Sequence, residues 1–164
     1  MITTSIFEVA DYFLHHANLL GESITMSKLQ KLCYYAQAWH LAFYGEPIFM
    51  SCYEYRAWPC GPVNLELDEK LELYEYIPIK KDTSEFQESV FTEKQLLILK
   101  QVWKKYGKLH EKTLETLIYQ EEPFRKAREE KENNEDDLFS GVIQESDMEA
   151  YYLRKWVDAR KLNQ

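Results

Sequence analysis

Apolar residues recur every three to four positions at the start of the chain: Ile6, Val9, Ala10, Phe13, Leu14, Ala17 and Leu20. That spacing predicts a helix over about residues 6–20, with its apolar face against a core. Ser5 and Glu8 form a capping box at its start, and Gly21 suits a left-handed cap at its end. After a four-residue link, Thr25 caps a second helix over about 26–44, stopped by Gly45 and Pro47. So short a link makes the pair an antiparallel hairpin. The second helix carries Leu29, Leu32, Cys33, Ala36, His40 and Phe43 on one face, but also Tyr34, Tyr35, Ala38, Trp39 and Leu41 on the others. Its apolar surface exceeds the stripe of about 100° typical of a surface helix. It is therefore either central or half covered by something else.

Between Ile48 and Val63 the helical period is lost. CYEYRAW alternates as a short extended segment, and Pro59 and Pro62 forbid a helix there. Pro62 is placed to open the next helix, with Val63, Leu67, Leu71 and Tyr74 on one face through Glu75. IPIKKDTSEFQES reads as a polar connector with room for a hairpin arm. Thr92 and Gln95 box a helix with Leu96, Leu99, Trp103 and Tyr106 inward, closed by Gly107. Leu114, Leu117 and Ile118 define a shorter helix ending before Pro123. EEKENNEDD, residues 129–137, reads as a charged, solvated loop. Ser146 and Glu149 box a last helix with Met148, Tyr152, Lys155, Trp156 and Ala159 along one side. The expected fold class is mainly α: one compact domain, residues 1–164, of about six or seven helices with at most a small β element near 48–60 or 76–92.

Composition sharpens this picture. Of the 164 residues, 45% are hydrophobic and 15% aromatic, enough to build a substantial core. The 28 acidic residues outnumber the 20 basic ones, for a net charge of −8. Tight nucleic-acid binding needs phosphates neutralised by Lys and Arg, so no nucleic-acid partner is expected. The three cysteines cannot all pair, which argues against a secreted disulfide scaffold. No apolar run approaches the roughly 20 residues needed to span a bilayer, and the first residues lack the pattern of a signal peptide. A soluble, cytoplasmic protein without a membrane partner is the expectation.

Candidate chemistry is sparse. His15 and His16 diverge by about 100° on a helix, and Cys33 and His40 lie about 10.5 Å apart along one. Neither pair can share a metal ion, and Cys52 and Cys60 lack C-x-x-C spacing. Cys60 has no nearby histidine to make it a nucleophile. Phosphate-binding glycine motifs are absent. No catalytic residue, metal site or cofactor is predicted. Core packing explains Trp103 and Trp156, whereas Tyr34, Tyr35, Trp39 and Trp58 are open to two readings, core or partner surface.

The order of motifs along the chain is similar to that of the Panacea-domain family of SocA-like antitoxins, also described as phage-associated proteins. The first is the K-L-Q-K-L-x-Y-Y-x-Q-x-x-x-L helix: Lys28, Leu29, Gln30, Lys31, Leu32, Tyr34, Tyr35, Gln37 and Leu41. The second is A-W-x-x-G-P-V: Ala57, Trp58, Gly61, Pro62 and Val63. A third block, L-x-x-x-x-H-x-E-x-P-W, departs from the pattern, with Tyr119 in place of histidine and Phe124 in place of tryptophan. The resemblance implies a helical domain that neutralises a cognate protein toxin by direct binding, and some such members deliver the toxin to an ATP-dependent protease. It does not imply an enzyme. Under that reading Tyr34, Tyr35, Trp39 and Trp58 anchor the partner, Lys28 and Lys31 flank it with charge, and Gly61 and Pro62 shape the turn. The acidic balance favours a basic toxin. The alternatives are a prophage or mobile-element regulatory protein without a toxin, and a cysteine- or metal-dependent hydrolase.

Overall fold

One helix is enclosed by four others and a β-hairpin. In the computed structural model, which describes residues 2–163, every residue from Leu29 to Ala42 is buried. This helix, α2 (Met26–Tyr44), packs against α1 (Ile6–Leu19), α4 (Glu93–Tyr106), α5 (Glu111–Gln120) and α7 (Glu145–Leu162), and against a β-hairpin. Between them lie α3 (Leu65–Lys70), α6 (Glu122–Asn133) and two single 3₁₀ turns at Glu72–Tyr74 and Glu88–Val90. The mainly α reading holds, and the apolar excess on α2 reflects a central position.

The predicted caps of α1, α2 and α4 are present: both capping boxes close, Thr25 accepts from the Lys28 amide, and Gly21 follows α1 with φ 69°. Three expectations are corrected. Pro62 does not open a helix but lies in a strand; α3 begins at Leu65, capped by Asn64, whose Oδ1 accepts from the Glu66 and Leu67 amides. The stretch 129–137 is not all loop, because Pro123 in the first turn starts α6, which runs to Asn133. The last helix starts from Gln144 without a side-chain cap, so Ser146 lies inside it. On α4 the inward face is Ile98, Leu99, Val102 and Tyr106, with Leu96 and Trp103 half-buried.

The β element is an antiparallel hairpin of β1 (Tyr55–Trp58) and β2 (Gly61–Asn64), turned through Pro59 and Cys60. Residues 141–143 lie along its outer edge: the Ala57 amide donates to Gly141 O (2.8 Å) and the Ile143 amide to Tyr55 O (2.9 Å). No hairpin forms in the connector; Ile79 instead pairs with Ile24 in an isolated bridge.

Two glutamines on α2 position this extended chain. The Gln30 amide exchanges a pair of 3.0 Å hydrogen bonds with the Asn64 backbone. One heptad on, Gln37 Oε1 accepts from the Ile48 amide (2.8 Å) while its Nε2 donates to Phe49 O (3.3 Å). Backbone groups buried against a helix need partners, and these side chains supply them where no strand is available. The segment after α2 is thus bound to the helix it leaves.

His40, 2% exposed, donates from Nδ1 to Glu46 O (2.7 Å), leaving Nε2 buried without a partner among the described residues. Burial lowers its pKa below the ordinary 6.5. The unfolded chain therefore binds this proton more readily, and stability contributed above pH 6.5 is lost as pH falls through that value and below it. His40→Asn, which keeps a donor for Glu46 O, is expected to flatten the stability difference between about pH 7.5 and about pH 5. Urea midpoints of the two proteins at both pH values measure this; parallel losses would show that His40 is not a source.

Candidate partner interface

The eight residues of the expected interface separate by burial. Tyr34 and Tyr35 are 0% exposed and Trp39 is 9%. The expectation that these rings face outward is corrected: α7, α4 and the α5–α6 junction cover them. Lys31, 1% exposed, is likewise no source of flanking charge. Its ammonium lies beneath the hairpin turn, donating to Ser27 Oγ and Ser27 O, and burial lowers its pKa. Lys28 is half-buried and donates to Gly107 O (2.6 Å). Gly61 and Pro62 are buried. Gly61 has φ 132°, and a Cβ there would meet Lys31 Cε at 3.0 Å, so shape and approach both require glycine. Of the anchors, Trp58 alone is substantially outward, at 38% exposed.

What the buried rings do is hold a carboxylate. Glu121, 3% exposed at the α5–α6 junction, accepts on Oε1 from Tyr35 OH (2.8 Å) and Tyr152 OH (2.9 Å). Its Oε2 accepts from Lys155 Nζ (2.8 Å). Burial raises the Tyr35 and Tyr152 hydroxyls far above the usual phenol range, so both remain donors. Tyr35 stacks on Tyr106 (3.8 Å between centroids, 4° between planes), and Tyr106 OH accepts from Trp39 Nε1 (3.0 Å). Four helices, α2, α4, α6 and α7, meet through this cluster. Its members lie far apart in sequence, and the one signal for Glu121 was its place in the third motif block, before Pro123.

Around Trp58 the surface is built differently. Arg56, Trp58, Pro59, Arg128, Lys131 and Leu138 line a groove of about 400 Å³. Arg128 donates to Ala57 O (2.7 Å), and Tyr119, in the motif's histidine position, donates to Pro59 O. Beside the groove, Leu138 and Phe139 are 81% and 83% exposed. Their backbone is nevertheless pinned. Arg56 donates to Leu138 O (2.9 Å) and Ser140 O (3.3 Å), Lys131 to Glu135 O and Asp137 O (both 3.0 Å), and the Phe139 amide to Asp137 Oδ1 (2.9 Å). Sequence reasoning passed over this pair; two adjacent large apolar residues ending a charged run were the missed signal.

Among the described residues no group of three or more His, Cys, Asp or Glu side chains could hold a metal ion. Cys33 is buried, and Cys52 and Cys60 are exposed free thiols.

Removing the buried carboxylate is expected to cost stability in graded fashion. Glu121→Ala, which strands two hydroxyls and an ammonium, should lose about 3 kcal/mol or more, and Glu121→Gln about 1–2 kcal/mol. Urea denaturation checks both; equal, small losses would show that the cluster is not structurally demanding.

A family model described as antitoxin SocA-like, Panacea domain, matches residues 29–125. That is more than half of the 164-residue chain and runs from α2 to the start of α6. No curated protein matches the chain, and no solved structure does.

Proposed function

Because the chain belongs to the SocA-like antitoxin family with the Panacea domain, we propose that it neutralises a cognate protein toxin by binding it directly, through the tip of the hairpin. The reading assigns no bond-making step to this protein. Among the described residues no helix is long and apolar enough to cross a membrane, and the proposed encounter takes place in the cytoplasm. Handing the captured toxin to an ATP-dependent protease would follow the same binding step.

One observation carries the choice of surface. Trp58, Leu138 and Phe139 expose large apolar side chains on backbone already tied down by Arg56, Arg128, Lys131 and Tyr119. Apolar anchors that are fixed before contact lose little freedom on binding, which favours affinity. Gly61 and Pro62 contribute by setting the turn, Lys31 by lying beneath it and Tyr34 by packing on Tyr55 of β1, while Tyr35 and Trp39 hold the helices behind it. Lys28, its ammonium bonded to Gly107 O, would lie outside the central contact. The net charge of −8 favours encounter with a basic toxin.

Trp58→Ala is expected to weaken toxin binding by about 2 kcal/mol, and Leu138→Ala with Phe139→Ala by at least as much, with cooperative unfolding and unchanged midpoints. Tyr35→Ala should instead lower the unfolding midpoint. Calorimetric titration with the product of the neighbouring gene as the candidate toxin, paired with thermal melts, reads both quantities. Wild-type affinity in the Trp58 and Leu138/Phe139 variants would remove the hairpin tip from the interface.

A further inference from the structure

A second apolar depression lies away from the hairpin, between α4 and α7 where both pack on α2. Its floor is Trp39, Ile98, Val102 and Tyr106, all buried, and its walls are Leu97 (50% exposed), Phe43 (43% exposed) and Trp156, enclosing about 380 Å³. The Trp39 indole offers no free donor, because its Nε1 is already bonded to Tyr106 OH. Phe43 and Trp156 meet edge to face at 5.0 Å, which fixes one wall. Only helices border this hollow, so an occupant has no strand edge to pair with and must bind by inserting side chains.

The charged groups at the rim are basic although the whole protein is acidic: Lys105 lines the hollow, Arg160 lies over its Trp156 wall, and Lys155 is close to Lys105. Lys155 and Arg154 are engaged by Glu121 and Glu122. Lys105 and Arg160, by contrast, lie over ring faces: Lys105 Nζ is 4.9 Å from the Trp39 centroid and 5.3 Å from that of Tyr106, and the Arg160 guanidinium is 4.9 Å from that of Trp156. Neither has a carboxylate partner among the described residues. Burial, and then repulsion from Lys155, lower the Lys105 pKa, so a carboxylate arriving beside it would gain.

We propose that the hollow between α4 and α7 is a docking site for an acidic amphipathic helix of a partner protein, its apolar side chains entering between Leu97 and Trp156 and its carboxylates meeting Lys105 and Arg160. A helix presents apolar residues at i, i+3 and i+7 in one row and keeps its charges alongside, which matches an apolar floor under a cationic rim. Polyanionic nucleic acid fits less well, since it has no apolar side chains to enter the hollow. This site is separate from the hairpin tip and does not depend on the toxin-binding reading.

The test uses a fluorescein-labelled helical peptide with Leu and Phe at i, i+3 and i+7 and Glu on its other faces, and a counterpart with Lys at every Glu. In anisotropy titrations of the full chain at low salt, the Glu peptide should bind about tenfold or more tighter than the Lys peptide. Leu97→Glu should abolish that binding, whereas Trp58→Ala should leave it unchanged. Lys105→Glu combined with Arg160→Glu should reverse the preference towards the Lys peptide, an outcome that misfolding cannot produce. Equal binding of both peptides, or indifference to Leu97→Glu, would overturn the proposal. It would equally be overturned if phosphatidylglycerol vesicles or duplex DNA bound in place of the peptide, or if Leu97→Glu only dissociated a dimer of the chain.

Discussion

A single carboxylate sunk among aromatic rings holds the helices of this protein in register. An ionised group in an apolar interior is tolerated only when its lone pairs are met by well-placed donors. Glu121 meets that requirement with Tyr35 from α2 and with Tyr152 and Lys155 from α7. The relative positions of α2, α6 and α7 are therefore fixed by hydrogen-bond geometry as well as by packing, and α4 joins through Tyr106, stacked on Tyr35. The aromatic surplus of α2 is spent on building and sheltering this cluster.

With those rings inside, the outward character of the protein moves to its edges. Gln30 and Gln37 bind the chain leaving α2 against that helix, so the hairpin projects from a rigid base. Lys31 lies under its turn, Arg128 and Tyr119 hold its strands and tip, and Trp58 is left facing solvent. Tyr119 shows how a departure from the motif can be absorbed: its hydroxyl supplies a hydrogen bond to the turn. Gly141, at φ 82° and closely faced by Lys131, lets residues 141–143 run beside β1 and carry the Leu138–Phe139 loop to the same face.

Much of the fold was legible because it is local. The capping boxes at Ser5 and Thr92, the Thr25 cap and the apolar spacing of the first, second, fourth and fifth helices each depend on residues within one or two turns of each other. The errors came where two local signals compete. Pro62 suits both the start of a helix and a strand end, and the pairing of Ala57 with Pro62 decided for the strand. Pro123 both ends α5 and begins α6, so a charged run that reads as solvated loop became helical through Asn133.

The sequence by itself determined that this is a mainly helical, acidic protein with an aromatic-rich second helix, because periodicity, capping and charge are properties of neighbouring residues. It also carried the family motifs that led to an antitoxin. Only the tertiary structure decided which aromatics face outward. Tyr34, Tyr35, Trp39 and Trp58 have the same composition-level claim to a surface, and three are buried because α4, α6 and α7, distant in the chain, close over them. A helical period says which residues share a face; which faces become covered depends on long-range packing, which no local pattern encodes.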